Sequence, residues 1–322
     1  MKAPGIAQRE AFGAALVEMA DRHPEMVVLD PDVCSSTRTS LFRAAYPGRF
    51  YAMGIAEANA VCAAAGMASC GLVPWVSAFA VFLACRAADQ IRVSVAHSGL
   101  PVKLNGSYGG LPSGRGGATH SAIEDLAVMR SMPGMTVLAP ADAAEARAMA
   151  ELAMAIPGPA YLRTMRCELP DLFGPAWRPE LGRAVELAPG RDLAILAEGM
   201  MSARALEAAA ILARGGISAR VLHFGTIKPF DAEAASRAAR DCGLLVTVEN
   251  HARSGGLGSA ACEAVAEASP CRVLRLGFPD AFLESGEDEA IFAKHGLTPG
   301  SIAASAKNAL RDTEWRDACG SP

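Results

Sequence analysis

Residues 53–71 read MGIAEANAVCAAAGMASCG, and the fold follows from how this run is read. One carboxylate, Glu57, comes just after a glycine and opens a stretch of small apolar residues long enough for a helix. Phe50–Gly54 before it and Val73–Ala78 after it have the length and apolar character of strands. Strand, helix and strand in close succession make a crossover unit, which pairs its two strands in parallel.

The same alternation extends in both directions. Further strands are predicted at Met26–Asp30, Pro101–Gly106, Met135–Ala139, Ala160–Thr164, Leu193–Ala197, Ala219–Phe224, Leu244–Glu249 and Cys271–Leu276. Alanine-rich segments with helical periodicity lie between them, among them Arg9–Arg22, Ala141–Ile156, Ser202–Arg214 and Asp231–Asp241. The expected fold is therefore α/β, with mostly parallel sheets flanked by helices. The pattern breaks at the proline-rich stretch Pro170–Pro189, which reads as a linker. Two domains are expected, at 1–175 and 188–312, as suits a chain of 322 residues.

Composition narrows the function classes. A hydrophobic fraction of 51% can fill two cores, and a net charge of −4 supplies no concentrated basic face for nucleic acid or acidic membrane. No apolar run reaches the ~18 residues that span a bilayer, and the N-terminus has no signal-peptide pattern. The nine cysteines are scattered without a C-x-x-C pair, so neither a disulfide frame nor a zinc site is indicated. A cytoplasmic location is expected.

Several residues could carry chemistry. Glu57 can be a helix-terminal carboxylate that complements the dipole, or a buried acid held beside a cofactor nitrogen. Phe79 and Phe82, three apart after a strand, can be core residues or a stacking slot for a planar heterocycle. Six glycines between Gly106 and Gly117 make a loop able to approach a ligand closely, and His120 stands at its exit. The G-x-G-x-x-G fingerprint after an early strand, the G-x-x-x-x-G-K-[ST] phosphate loop and the G-x-S-x-G elbow are absent from the sequence. In the second half, the SGGLGS turn after His251 reads as packing, and no catalytic residue is assigned there.

Taken in order, these segments resemble a known family. Met53–Gly71, SAFAVF, GGATHSAIEDLAVMRSMPGMTVLAPAD and PAYLRT look like the pyrimidine-binding domain of transketolases. AEG, FGTIKPFD and TVENHARSGGLGSA look like the transketolase C-terminal domain, so the resemblance covers nearly the whole chain. The family's preceding domain carries a G-D-G metal and diphosphate motif, which this sequence lacks. The chain therefore resembles the C-terminal subunit of a split enzyme. An N-terminal partner subunit would supply the ligands for magnesium and diphosphate, in an α2β2 assembly.

The resemblance implies roles. Glu57 would hydrogen-bond the pyrimidine nitrogen of thiamine diphosphate and favour the imino tautomer, which takes the thiazolium proton and leaves the nucleophilic ylid. Phe79 and Phe82 would stack on the pyrimidine, Asp32 would lie near the cofactor, and His120 would stand near the reacting centre as a catalytic residue. Arg9, Ser36 and Arg163 would bind a sugar phosphate. No metal ligand is assigned to this chain. There are departures too. Cys85 stands where many transketolases place a third aromatic around the cofactor. Tyr108 stands at a donor-binding histidine, Gly116 at a hydroxyl-binding aspartate, and Arg115 replaces an acidic neighbour. The implied activity is transfer of a two-carbon ketol unit between sugar phosphates. A carboligase or decarboxylase using a 2-oxo acid, attracted by Arg115, and a non-catalytic scaffold subunit are the alternatives.

Overall fold

The computed structural model describes residues 4–111 and 114–312. In chain order the strands are β1 (Pro4–Ala7), β2 (Met26–Asp30), β3 (Phe50–Ala52), β4 (Val73–Phe79), β5 (Lys103–Ser107), β6 (Thr136–Leu138) and β7 (Ala160–Thr164). Then come β8 (Glu168–Pro170), β9 (Val185–Ala188), β10 (Leu193–Ala197), β11 (Ala219–His223), β12 (Thr226–Lys228), β13 (Leu244–Ala252) and β14 (Arg272–Phe278). Every strand read from the sequence is present, with small differences at the ends.

Two mostly parallel sheets result. The first has the order β12-β6-β7-β5-β4-β2-β3 and the second β14-β13-β10-β11-β9. Each has one antiparallel edge, β12 against β6 and β9 against β11. β1 and β8 form a separate antiparallel pair. These four strands have three or four residues each and no long apolar run, so nothing in the sequence pattern announces them. β9 lies within the proline-rich stretch read as linker, and β12 carries the chain back from the second unit to extend the first sheet.

Helices cover both faces, which is why β2, β5, β7 and β10 are buried at every position. Packing at the centre leaves little slack. A Cβ on Gly106 would sit 2.1 Å from the Tyr161 hydroxyl, so only glycine lets β5 pass beneath that ring. One continuous apolar core contains Leu104, Val137 and Tyr161 of the first sheet together with Leu196, Phe224 and Leu245 of the second unit.

Polar joints complete the junction. Ser202 Oγ lies 2.7 Å from His223 Nδ1, and His223 Nε2 lies 2.8 Å from Glu145 Oε2. Serine, histidine and glutamate in line look like hydrolase machinery, but the three are at most 1% exposed. Glu145 belongs to helix Ala143–Ala155 of the first unit, so this line ties the two units together.

In the second sheet β10 is flanked by β11 on one side and β13 on the other, making a topological switch point where open sheets of this kind bind ligands. Here that crevice is filled by the first unit. Arg163 of β7 enters it and pairs with Glu198, just past β10, and with the carbonyl of Asn250 in β13.

Candidate functional site

The side chains of interest collect at the carboxyl ends of the first sheet's parallel strands, where the exposed loops can converge on a ligand. Asp32 follows β2, Glu57 follows β3, Phe79 ends β4, Tyr108 follows β5 and Arg166 follows β7. Gly54 makes the turn out of β3 at φ 66°, and helix Glu57–Ser69 then begins. Glu57 is its first residue and is only 2% exposed. The site's acid is thus aimed inward at a helix N-terminus, where backbone N–H dipoles stabilise negative charge. Its Oε2 accepts a hydrogen bond from Arg86 Nη1 at 2.7 Å.

Arg86 ends a π-helical turn, Phe82–Arg86, that directly continues from β4 and its neighbouring residues. Such turns are rare and cluster at functional sites. The Arg86 guanidinium carbon lies 4.4 Å from the Phe82 ring centroid, a cation–π stack. Phe82 and Phe79 have centroids 5.8 Å apart. His120 meets Phe79 at 5.9 Å and Phe82 at 5.5 Å, both edge-on. Tyr108 packs on Phe79 at 4.4 Å. Residues distant in sequence therefore form one half-buried aromatic slot with Glu57 and Arg86 beside it.

A cationic margin adjoins the slot. Arg9 Nη1 donates to the Tyr108 hydroxyl at 2.8 Å and to the Ser36 carbonyl at 3.0 Å. Arg9 and Arg166 both lie over the Tyr108 ring, at 5.6 and 5.8 Å. Tyr108 is held at φ 62°, a conformation non-glycine residues seldom adopt, which turns its ring toward these two arginines. Guanidinium groups supply the forked donors that suit phosphate and similar anions.

The remaining expected residues have different settings. Arg163, expected at a sugar phosphate, is 3% exposed. Its guanidinium is committed to Asp125 at 3.0 Å, to Glu198 at 3.4 Å, and to the carbonyls of Ala122 and Asn250. That commitment corrects the expectation: Arg163 is a joint between the units, and the arginine at the slot's margin is Arg166. Arg115 is exposed and paired with Glu287 at 2.7 Å, on the outer side of the glycine loop. Asp32 is exposed, at φ 67°. Cys85 lies on the π-turn with its thiol 3.6 Å from Glu124 Oε1; burial and that carboxylate push the thiol up to about 11, which keeps it protonated and weakly nucleophilic.

Arg86 and Arg166 are the residues that sequence reading passes over. For Arg166 a signal was present, since Arg163 falls inside the strand Ala160–Thr164 while Arg166 clears its end. For Arg86 the cue was weaker: a buried acid needs a partner, and Arg86 is the nearest cation following the paired phenylalanines. Among the described residues no group of three or more His, Cys, Asp or Glu side chains is arranged to hold a metal ion.

Residues 4–171 match the pyrimidine-binding domain of transketolase, and residues 182–302 match the transketolase C-terminal domain. The chain belongs to the transketolase family. This transketolase-family chain is 39% identical to the 6-deoxy-6-sulfo-D-fructose transketolase subunit SqwH of Clostridium sp., over 96% of each chain. It is 37% identical to an apulose-4-phosphate transketolase subunit of Phocaeicola vulgatus, over 94% of this chain and 96% of that one. It is also 37% identical to 1-deoxy-D-xylulose-5-phosphate synthase of Symbiobacterium thermophilum, where it spans 48% of the longer protein. Among solved structures, a split-gene transketolase described as an inactive beta4 tetramer superposes with a TM-score of 0.87 and 45% identity, covering 95% of this chain and 98% of that one. No helix among the described residues is long and apolar enough to cross a membrane.

Proposed function

We propose that the chain is the pyrimidine-side subunit of a split, thiamine-diphosphate-dependent transketolase that moves a two-carbon ketol unit between anionic sugars. The observation that carries this reading is Glu57: a buried carboxylate at a helix N-terminus, opening onto an aromatic slot at the carboxyl edge of a parallel sheet. The residues fit the aminopyrimidine half of the cofactor. Phe79 and Phe82 offer faces for a planar ring, and Glu57 offers an oxygen for a ring nitrogen.

When bound, thiamine diphosphate supplies a carbanion at its thiazolium ring. The chain's own residues bind and orient. Glu57 would give or share a proton at the ring nitrogen through a carboxyl oxygen. Phe79 and Phe82 exclude water from one side of the slot, and His120 presents a ring nitrogen at its rim to serve as acid or base on substrate oxygens. Arg9, Arg166 and Tyr108 hold the anionic end of the sugar, with Ser36 fixing Arg9.

A partner chain would bring the magnesium and diphosphate ligands and close the site, in an α2β2 assembly in the cytoplasm. Support comes from the relatives named as subunits, and from the inactivity stated for the tetramer of a similar β chain. Glu57→Ala, co-expressed with that partner, is expected to retain cofactor but turn over poorly. Near-normal turnover would remove the proposal. A second reading, a 2-oxo acid donor, is favoured by the 1-deoxy-D-xylulose-5-phosphate synthase relatives and by Tyr108 and Gly116. Carbon dioxide release from pyruvate without ketose turnover would select it.

A further inference from the structure

We propose that Arg86 is a positioning residue that sets Glu57 for its work at the pyrimidine slot. The inference rests on the functional reading above and concerns how the acid is held. Glu57 is 2% exposed, so its carboxyl group has surrendered most of its hydration. Two sources of positive potential face it instead: the N-terminus of helix Glu57–Ser69 and the Arg86 guanidinium at 2.7 Å.

The bond from Arg86 goes to one oxygen, Oε2. It restrains the carboxyl group, so that the second oxygen would be the one offered to the ring nitrogen. Arg86 is held in turn. Its guanidinium lies 4.4 Å from the Phe82 centroid, and both residues belong to the same π-helical turn. The turn that sets the aromatic wall therefore also sets the acid. A ring N–H donates to a carboxylate oxygen, and the Arg86 guanidinium occupies the other oxygen of that carboxyl group.

The experiment uses the reconstituted complex with its partner and compares wild type with Arg86→Met, Arg86→Lys, Glu57→Gln and the double variant Arg86→Met/Glu57→Gln. Three quantities are read: thiamine diphosphate affinity by calorimetry, the near-ultraviolet circular dichroism of the bound aminopyrimidine, and kcat. Arg86→Met is expected to change the circular dichroism band and to lower kcat by roughly tenfold or more, with partial rescue in Arg86→Lys. In the Glu57→Gln background the Met substitution should add nothing, because Arg86 acts through that acid. A full additive loss in the double variant would overturn the inference, as would an Arg86→Met enzyme with an unchanged band and wild-type kcat beside an inactive Glu57→Gln. If wild type itself binds no thiamine diphosphate, or Glu57→Gln is fully active, the functional reading fails first.

Discussion

Arg163 Nη2 donates to the carbonyl of Asn250 at 2.8 Å, carrying a cation from the first sheet into the ligand crevice of the second. The same nitrogen reaches Asp125 Oδ1 at 3.0 Å, and Asp125 also accepts from the Tyr161 hydroxyl at 2.7 Å. All three side chains are almost completely buried. A charge in such a place is held by its partners, and removing one leaves the others uncompensated. Arg163→Met is therefore expected to cost about 3–5 kcal/mol of stability. Denaturant unfolding of the chain checks this. An Arg163→Met protein with wild-type stability and a raised substrate KM would return the residue to the sugar-phosphate role.

Next to this joint lie two acids and a histidine with opposed titrations. Burial, with the nearby Glu198, pushes Glu249 up to about 8, and burial pushes His251 down to about 4. Protons decide the sign. Between about pH 4 and 6.5 the unfolded chain binds a proton at this histidine that the folded one does not, so stability rises with pH there. From the ordinary carboxylate range up to about 8 the folded chain holds a proton at Glu249 that the unfolded one has lost, so stability falls with pH. Above pH 6.5 the histidine no longer counters the acid. The wild type should thus lose about 1–2 kcal/mol between pH 6.5 and 8 relative to Glu249→Gln, which has no proton to release there. Urea midpoints at the two pH values test this, and parallel curves for the two proteins would refute it.

Gly110 offers a test of how the glycine loop is seated. It stands at φ 66°, and a Cβ there would meet the Asn250 carbonyl at 2.3 Å. The neighbouring Leu111 N–H donates to Asn250 Oδ1 at 2.9 Å, and Gly110 exchanges backbone hydrogen bonds with Ala122. The loop that ends at His120 is thus stitched to the second unit. Gly110→Ala should lower stability on the order of 1–3 kcal/mol and reduce activity with it, through the strained φ and the contact with Asn250. Thermal unfolding with parallel assays reads both, and an unperturbed variant would mean that the loop is seated by other contacts.

The sheets were legible because parallel strands covered on both faces read as continuous apolar runs, as at Met26–Asp30 and Leu193–Ala197. β12 was not, since three residues that pair with a strand far behind them carry no local pattern. The site was legible in part. Phe79, Phe82 and His120 lie against one another and Glu57 reaches them through Arg86: Glu57 follows β3, Phe79 ends β4 with Phe82 shortly after it, and His120 returns from the far end of the glycine loop. Arg86 escaped notice because its pairing spans 29 positions and depends on a π-turn that periodicity does not reveal. Arg163 was expected at a sugar phosphate through the resemblance, whereas its place within β7 buries it.

That contrast gives Arg166 a sharp test. Arg166 lies beyond the end of β7, exposed, and 5.8 Å from the Tyr108 centroid, with Arg9 at 5.6 Å. If these arginines hold the anionic end of the sugar, their loss should weaken binding in ground state and transition state alike. Arg166→Ala should then raise KM by about tenfold or more with kcat little changed, since a hydrogen bond to a charged group contributes about 1.5–3 kcal/mol. Tyr108→Phe removes the hydroxyl that Arg9 reaches at 2.8 Å and should raise KM only a few-fold, in keeping with about 0.5–1.5 kcal/mol for an ordinary hydrogen bond. The decisive control is a ketose without its phosphate or sulfonate. Wild type and Arg166→Ala should use that substrate equally, because the group the arginine reads is gone. An equal penalty on charged and uncharged substrates would instead mark Arg166 as a support for the Tyr108 ring.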